Sequence, residues 1–171
     1  MASRDGGRNL HASLAERRVF SALEQSSSAT SAATTCAESW RGGPTVHGDL
    51  KASHVLLAGG SVKVLDWEFA GPGAIGWDSA MLLSSLLVQA ALAGGPWSVD
   101  RMSLAAALVE EAPVQRKLLA RMLALCLWQA ALEWSPGFSL MRGVPGLIQL
   151  GLNLVESEAA FDALLADLTA S

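Results

Sequence analysis

The sequence predicts an α+β fold that is mainly α-helical, and three observations carry that prediction. Strand-like residues are confined to one block, Thr45 to Asp66, in which Gly59-Gly60 separates two β-prone runs. Beyond Gly76 the chain consists of apolar runs cut by Gly, Pro and acidic residues into pieces of helical length. Hydrophobic residues make up 51% of the 171 residues and charged ones 16%, which supplies a buried core and excludes a disordered chain.

Taken in order, residues 11–25 (HASLAERRVFSALEQ) place Leu14, Val19, Phe20 and Leu23 at mixed helical spacings, which predicts one short amphipathic helix. SSSATSAATT (26–35) is small and polar and reads as a loop. The expected division is therefore an N-terminal helix with a flexible Ser/Thr/Ala linker over 1–36, followed by one domain over 37–171. Residues 37–42 add a helical turn presenting Trp40, which Gly43-Pro44 stops. Strands are expected at Thr45–His47, His54–Leu57 and Ser61–Leu65, with a glycine-rich connection (GPGAIG) over 71–76. Helices are expected over Asp78–Ala93, Val99–Glu111, Pro113–Trp134 and Val144 to about Leu168, with Pro113 in the first turn of its helix.

Composition removes several function classes. The formal charge is −4, and Lys51, Lys63 and Lys117 are the only lysines, so no basic face for nucleic acid is visible. The uncharged run from Ser79 to Val99 is cut by Gly94-Gly95-Pro96 to roughly 15 apolar residues, a core-helix length. Glu133 and Pro136-Gly137 cut the next one, so no membrane span is expected. Charges near the N-terminus with no apolar stretch behind them argue against a secretory signal, and the cytoplasm is the expected location. Cys36 and Cys126 lie far apart, and Cys126 in its apolar run reads as a buried reduced thiol.

The chemistry-bearing residues flank the β block. Asp49 sits in the loop after the first strand and Asp66 at the end of the third, so the intervening hairpin can return the second carboxylate to the first. Two acidic groups held close repel, and a divalent cation between them relieves that repulsion. Phosphoryl transfer needs such a pair: one carboxylate for the acceptor hydroxyl and one for the metal on the phosphates.

VHGDLKASHVLL (46–57), SVKVLDWEFA (61–70) and GWDSA (76–80), in that order, resemble the aminoglycoside phosphotransferase and choline kinase-like family. Its signature is H-G-D-x-x-x-x-N with a downstream D-W-E. The resemblance covers roughly residues 37–93 and implies a kinase-like C-terminal lobe in which the hairpin carries the catalytic loops on a helical bundle. It implies Asp49 as catalytic base, Asp66 as Mg²⁺ ligand, ATP as phosphoryl donor and a small hydroxylated molecule as acceptor. His47 and Gly48 would shape the loop, while Trp67, Glu68, Trp77 and Asp78 would buttress the loop after Asp66. His54 stands where the family has asparagine. Imidazole nitrogen suits softer metals than Mg²⁺, so His54 is either a metal contact, with Mn²⁺ as the alternative ion, or a hydrogen-bonding loop residue.

Only 46 residues precede His47, with no lysine and no G-x-G-x-x-G among them. The family's phosphate-gripping N-terminal lobe is thus expected to be missing, as in a truncated enzyme. The alternative is an inactive fragment or pseudokinase serving as a binding module. In either case a second copy or a partner chain would cover the surface left open. Trp97, Trp128 and Trp134 read as core, and His11, Glu110, Glu111, Glu156 and Glu158 as solvated.

Overall fold

The computed structural model describes residues 21, 23–93, 99–134 and 144–169. Most of the expected 11–25 helix, His11, Trp97, Gly94-Gly95-Pro96, Pro136-Gly137 and the side chain of Trp134 lie outside the described residues.

The first described helix, α1 (Ser27–Ser39), replaces the expected loop over 26–35. Ser26 caps it, its Oγ accepting from the amide of Ala29 at 3.1 Å. Thr30, Thr34 and Thr35 donate their hydroxyls to carbonyls one turn back, which removes their competition with the helix. Ala29, Ala32 and Cys36 form a buried stripe, so residues that look linker-like for their small size are small because the helix packs closely.

Two short antiparallel pairs follow. β1 (Thr45–Val46) pairs with β4 (Gly71–Pro72), while β2 (Val55–Ala58) and β3 (Ser61–Val64) form the expected hairpin in the register Val55↔Val64 and Ala58↔Ser61. Gly59 and Gly60 have φ of 58° and 77°, the pair of left-handed residues that a tight two-residue hairpin turn requires. β4 falls within the segment read as a connection; two residues ending in proline carry no strand signal.

Five helices complete the chain: α2 (Trp77–Ala93), α3 (Val99–Glu110), α4 (Arg116–Trp134), α5 (Val144–Glu156) and α6 (Glu158–Thr169). α4 is the centre, packing on α1, α2, α5 and α6. Leu119, Met122, Leu123 and Leu127 are among the largest fully buried side chains, and Trp128 is buried with them, its indole donating to the Ile148 carbonyl. A helix apolar on nearly all sides must lie inside its domain. Pro113 does not open α4, which starts at Arg116; Val114 is instead drawn in against Gly76. The single helix expected over 144–168 is two, divided at Ser157. That residue closes α5 through its amide on the Asn153 carbonyl and opens α6 ahead of Glu158. The break returns α6 onto α3. No helix among the described residues is long and apolar enough to cross a membrane.

Both cysteines are free and buried. Burial pushes the Cys36 thiol up from 9.0 to about 11, Arg121 pulling it partly back, and burial raises Cys126 well above the ordinary thiol range. The folded chain therefore keeps thiol protons that the unfolded chain loses above about pH 9. The melting temperature is expected to be insensitive to these groups below pH 9 and to fall as pH rises toward 11; in the double Cys→Ala variant that part of the fall disappears.

A second test concerns packing. A methyl on Gly151 of α5 would strike the Trp128 indole. Alanine normally favours a helix interior over glycine by about 1 kcal/mol. Gly151→Ala is expected to reverse that sign and destabilise by about 1–3 kcal/mol in chemical denaturation.

Candidate active site

The loop after β1 carries Asp49, and α2 holds that loop from behind. The Asp78 carboxylate, in the first turn of α2, accepts from the amides of His47 at 2.8 Å and Gly48 at 3.0 Å. The Trp77 indole donates to the Gly48 carbonyl at 3.2 Å. Two turns along, Ser85 Oγ accepts from the Ala52 amide at 3.0 Å and donates to the Leu82 carbonyl. Gly48 has a φ of 85°, and a Cβ there would meet the Phe69 carbonyl at 2.7 Å, so the residue before Asp49 has no room for a side chain. Trp77 and Asp78 therefore buttress the loop before Asp49, rather than the one after Asp66.

Two imidazoles join the Asp49 and Asp66 segments. His47 is buried, with Nε2 at 2.7 Å from the Leu65 carbonyl and Nδ1 accepting from the Asp49 amide at 3.4 Å. A carbonyl only accepts, so Nε2 bears the proton. His54 reaches the other way: Nδ1 lies 3.0 Å from the Asp49 carbonyl, and Nε2 lies 3.5 Å from Asp66 Oδ2. The rings stack with centroids 5.9 Å apart. The Asp49 and Asp66 segments thereby meet at His54, through the main chain of Asp49 and the carboxylate of Asp66.

The two carboxylates differ in setting. Asp49 is mostly buried and receives Lys51 Nζ at 2.9 Å on Oδ1. Asp66 is 49% exposed and has φ 66° and ψ 54°, the only positive φ at a non-glycine among the described residues. The left-handed conformation costs roughly 1–2 kcal/mol at a residue with a Cβ, and such strain concentrates where a side chain must be aimed. Trp67 is exposed, with its ring against His47 and its indole donating to the Val64 carbonyl. Lys51 and Ser85 are absent from the sequence-based site. Lys51 had a signal: two residues after Asp49 in extended chain, it shares Asp49's side. Ser85, 33 residues from its partner, had none.

The donor set can be tested against a divalent ion. Among the described residues no three His, Cys, Asp or Glu side chains gather closely enough to hold a metal by themselves. Mg²⁺ is commonly held by one or two carboxylates with phosphate and water completing its shell. Asp66, open to solvent, fits that ion; a resident, protein-caged metal does not fit. With Nδ1 donating to a carbonyl, His54 turns Nε2 toward the Asp66 carboxylate, 3.5 Å away, an arrangement that a cation between them would stabilise.

Asp78→Ala is expected to lower stability by about 3 kcal/mol, through two lost hydrogen bonds to a charged acceptor. Asp66→Gly is expected to leave stability unchanged or to raise it by roughly 1 kcal/mol through relief of the left-handed strain. Urea denaturation measures both, and an Asp78→Ala midpoint equal to that of the parent would refute the clamp.

Comparison with known proteins adds one match. The model of a family described as "phosphotransferase enzyme family" matches residues 4–95, more than half of the chain. No curated protein matches it.

Proposed function

The chain belongs to the phosphotransferase enzyme family, and from that premise we propose that it transfers the γ-phosphoryl group of ATP to a hydroxyl of a small molecule. The observation that carries the reading is that the segments bearing Asp49 and Asp66 meet at His54, which contacts the main-chain carbonyl of Asp49 and lies 3.5 Å from the Asp66 carboxylate. In the proposed reaction the acceptor oxygen forms a bond to the γ-phosphorus, the bond from that phosphorus to the β-bridging oxygen breaks, and ADP leaves. Asp49 orients the hydroxyl and takes its proton. Lys51 holds Asp49 in place and offers positive charge beside the transferring group. Bound Mg²⁺ would supply charge neutralisation on the phosphates, with Asp66 as its protein ligand. In this reading the helical domain is a kinase-like C-terminal lobe, with the hairpin presenting both acids.

Incubation of the chain with labelled ATP, Mg²⁺ or Mn²⁺ and a panel of amino sugars and amino alcohols tests the reading. Transfer is expected to fall by at least about 10³-fold in Asp49→Ala, the loss of base and positioning together. Transfer no greater than that of Asp49→Ala with any acceptor would remove it. His54→Asn exchanges a nitrogen for a hard amide oxygen and is expected to shift preference from Mn²⁺ toward Mg²⁺. Competition of Mg²⁺ against Mn²⁺ electron-spin resonance in the presence of ATP reads that shift without turnover.

A second reading, a binding module without catalysis, is favoured by one observation. Leu56, Val62, Leu65, Trp67, Phe69 and Ile75, all within twenty residues of sequence that include the hairpin and Asp66, are 44–64% exposed. Large apolar side chains grouped in this way mark a surface that another polypeptide covers, a second copy or a partner chain. Light scattering across a concentration series tests it: Trp67→Lys with Phe69→Lys should dissociate an oligomer, and a monomer at every concentration would leave only a separate partner.

A further inference from the structure

Helix α6 leaves α5 through a single residue. Ser157 alone stands between Glu156, the end of α5, and Glu158, the start of α6. Its amide still donates to the Asn153 carbonyl at 3.0 Å, as in a continuing helix. Corners between helices are commonly marked by glycine or proline, yet neither occurs from Leu152 to Thr169. The residues after the corner, EAAFDALLAD, are mostly alanine and leucine, the strongest helix formers. Run straight through Ser157, the chain would give the amides of Glu158 and Ala159 the carbonyls of Leu154 and Val155. Local preference therefore favours one helix, and only tertiary contacts impose the corner.

Those contacts are of two kinds. Phe161 is the one buried side chain between 158 and 167, with Leu164 and Leu165 partly buried against the same core. Two ion pairs tie α6 to α4: Lys117 to Glu158 at 2.8 Å and Arg116 to Asp162 at 3.5 Å. All four side chains are largely exposed, so water and salt screen the attraction. Cavities of about 350 and 570 Å³ flank this line of contact, the first lined by Phe161 and the second by Leu165. Arg116 and Asp162 border both, so α6 is loosely packed on two sides.

We propose that α6 is exchanged between two copies of this chain: α5 and α6 straighten into one helix, and each α6 docks in the other copy's seat. A second copy is the occupant because the seat already fits this helix. Phe161, Glu158 and Asp162 meet the same partners as before, now across a two-fold interface. A released α6 is a poor resident of water, since Phe161, Leu164 and Leu165 lie at i, i+3 and i+4 on one face. As a straight extension of α5, its 12 residues reach about 18 Å, which carries that face away from its own chain. The exchange remakes every contact of α6 and adds helix at the hinge in both chains. Its cost is the entropy of joining two chains, so concentration favours it.

Equal amounts of unlabelled and isotope-labelled full chain, mixed in urea and refolded over a concentration series, test the proposal. A carbodiimide then couples the Lys117 amine to the Glu158 carboxylate, which already touch, and mass spectrometry reads the label of each half. In the dimer fraction about half of the 117–158 products are expected to join a labelled to an unlabelled peptide, as random exchange between two copies gives. A dimer formed through the exposed apolar residues of the hairpin gives products of one label only. Light scattering reads the variants. Ser157→Ala, which favours the straight helix once in each chain, should raise the association constant about five-fold. Glu158→Pro suits the first turn of α6 but is barred from a helix interior, and should lower the constant at least about ten-fold. Glu158→Gln, which removes the same ion pair without that bar, should stay within about two-fold of the parent. Monomer alone at every concentration, a dimer with one-label products only, or a dimer indifferent to Ser157→Ala or to Glu158→Pro overturns the proposal.

Discussion

The site depends on a cross-brace made by two stacked imidazoles. Two segments 17 residues apart must hold their acids in fixed relation although neither lies in a sheet that includes the other. His47 ties the Asp49 amide to the carbonyl preceding Asp66, and His54 binds the Asp49 carbonyl with its Nε2 3.5 Å from the Asp66 carboxylate. Imidazole suits the His47 position because it carries a donor and an acceptor on opposite sides of a rigid ring. Behind the brace, α2 fixes the loop at two points two turns apart, Asp78 and Ser85. α2 is in turn packed on α4, the most enclosed helix, so the precision of an exposed site derives from a buried one.

What the sequence disclosed follows the range of the interactions involved. The hairpin was legible because its turn chemistry is local: only glycine accepts two successive left-handed conformations cheaply, and Gly59-Gly60 sits between β-prone runs. α2, α3 and most of α4 were legible because long apolar runs leave few alternatives to a buried helix. α1 was not, because alanine and threonine carry little apolar contrast and its buried stripe consists of the smallest residues. The division at Ser157 was also hidden, since the apolar pattern continues through it and only the return of α6 onto α3 requires a corner. Asp49 and Asp66 stood out by motif, but the meeting of their segments at His54 depends on ring contacts that no spacing reveals.

His54 illustrates how one substitution changes a site without dismantling it. An asparagine amide at that position offers an oxygen to a metal and little reach across to Asp66. Imidazole reaches from the Asp49 carbonyl to within 3.5 Å of the Asp66 carboxylate, so the two segments meet at one ring. The loops thus hold together through protein contacts, and in the proposed reading a divalent ion would be left to Asp66, the phosphates and water.

The backbone of Asp66 shows why such bracing is needed. A left-handed residue in the core can be kept there by surrounding side chains, but Asp66 and its neighbours Leu65 and Trp67 are all exposed, so packing cannot supply the restraint. Restraint comes from hydrogen bonds on both sides instead. The Leu65 amide donates to the His54 carbonyl at 2.9 Å, the Leu65 carbonyl accepts from His47, and the turn after Asp66 closes through the Ala70 amide on the Trp67 carbonyl. Held by its backbone, the residue keeps its carboxylate open to solvent, where a ligand arriving with its own charge can meet it. Burying the same carboxylate to hold it by packing would impose a desolvation cost on every empty cycle. An aspartate that is strained in its backbone and exposed in its side chain is the arrangement in which a fixed geometry and an accessible charge coexist.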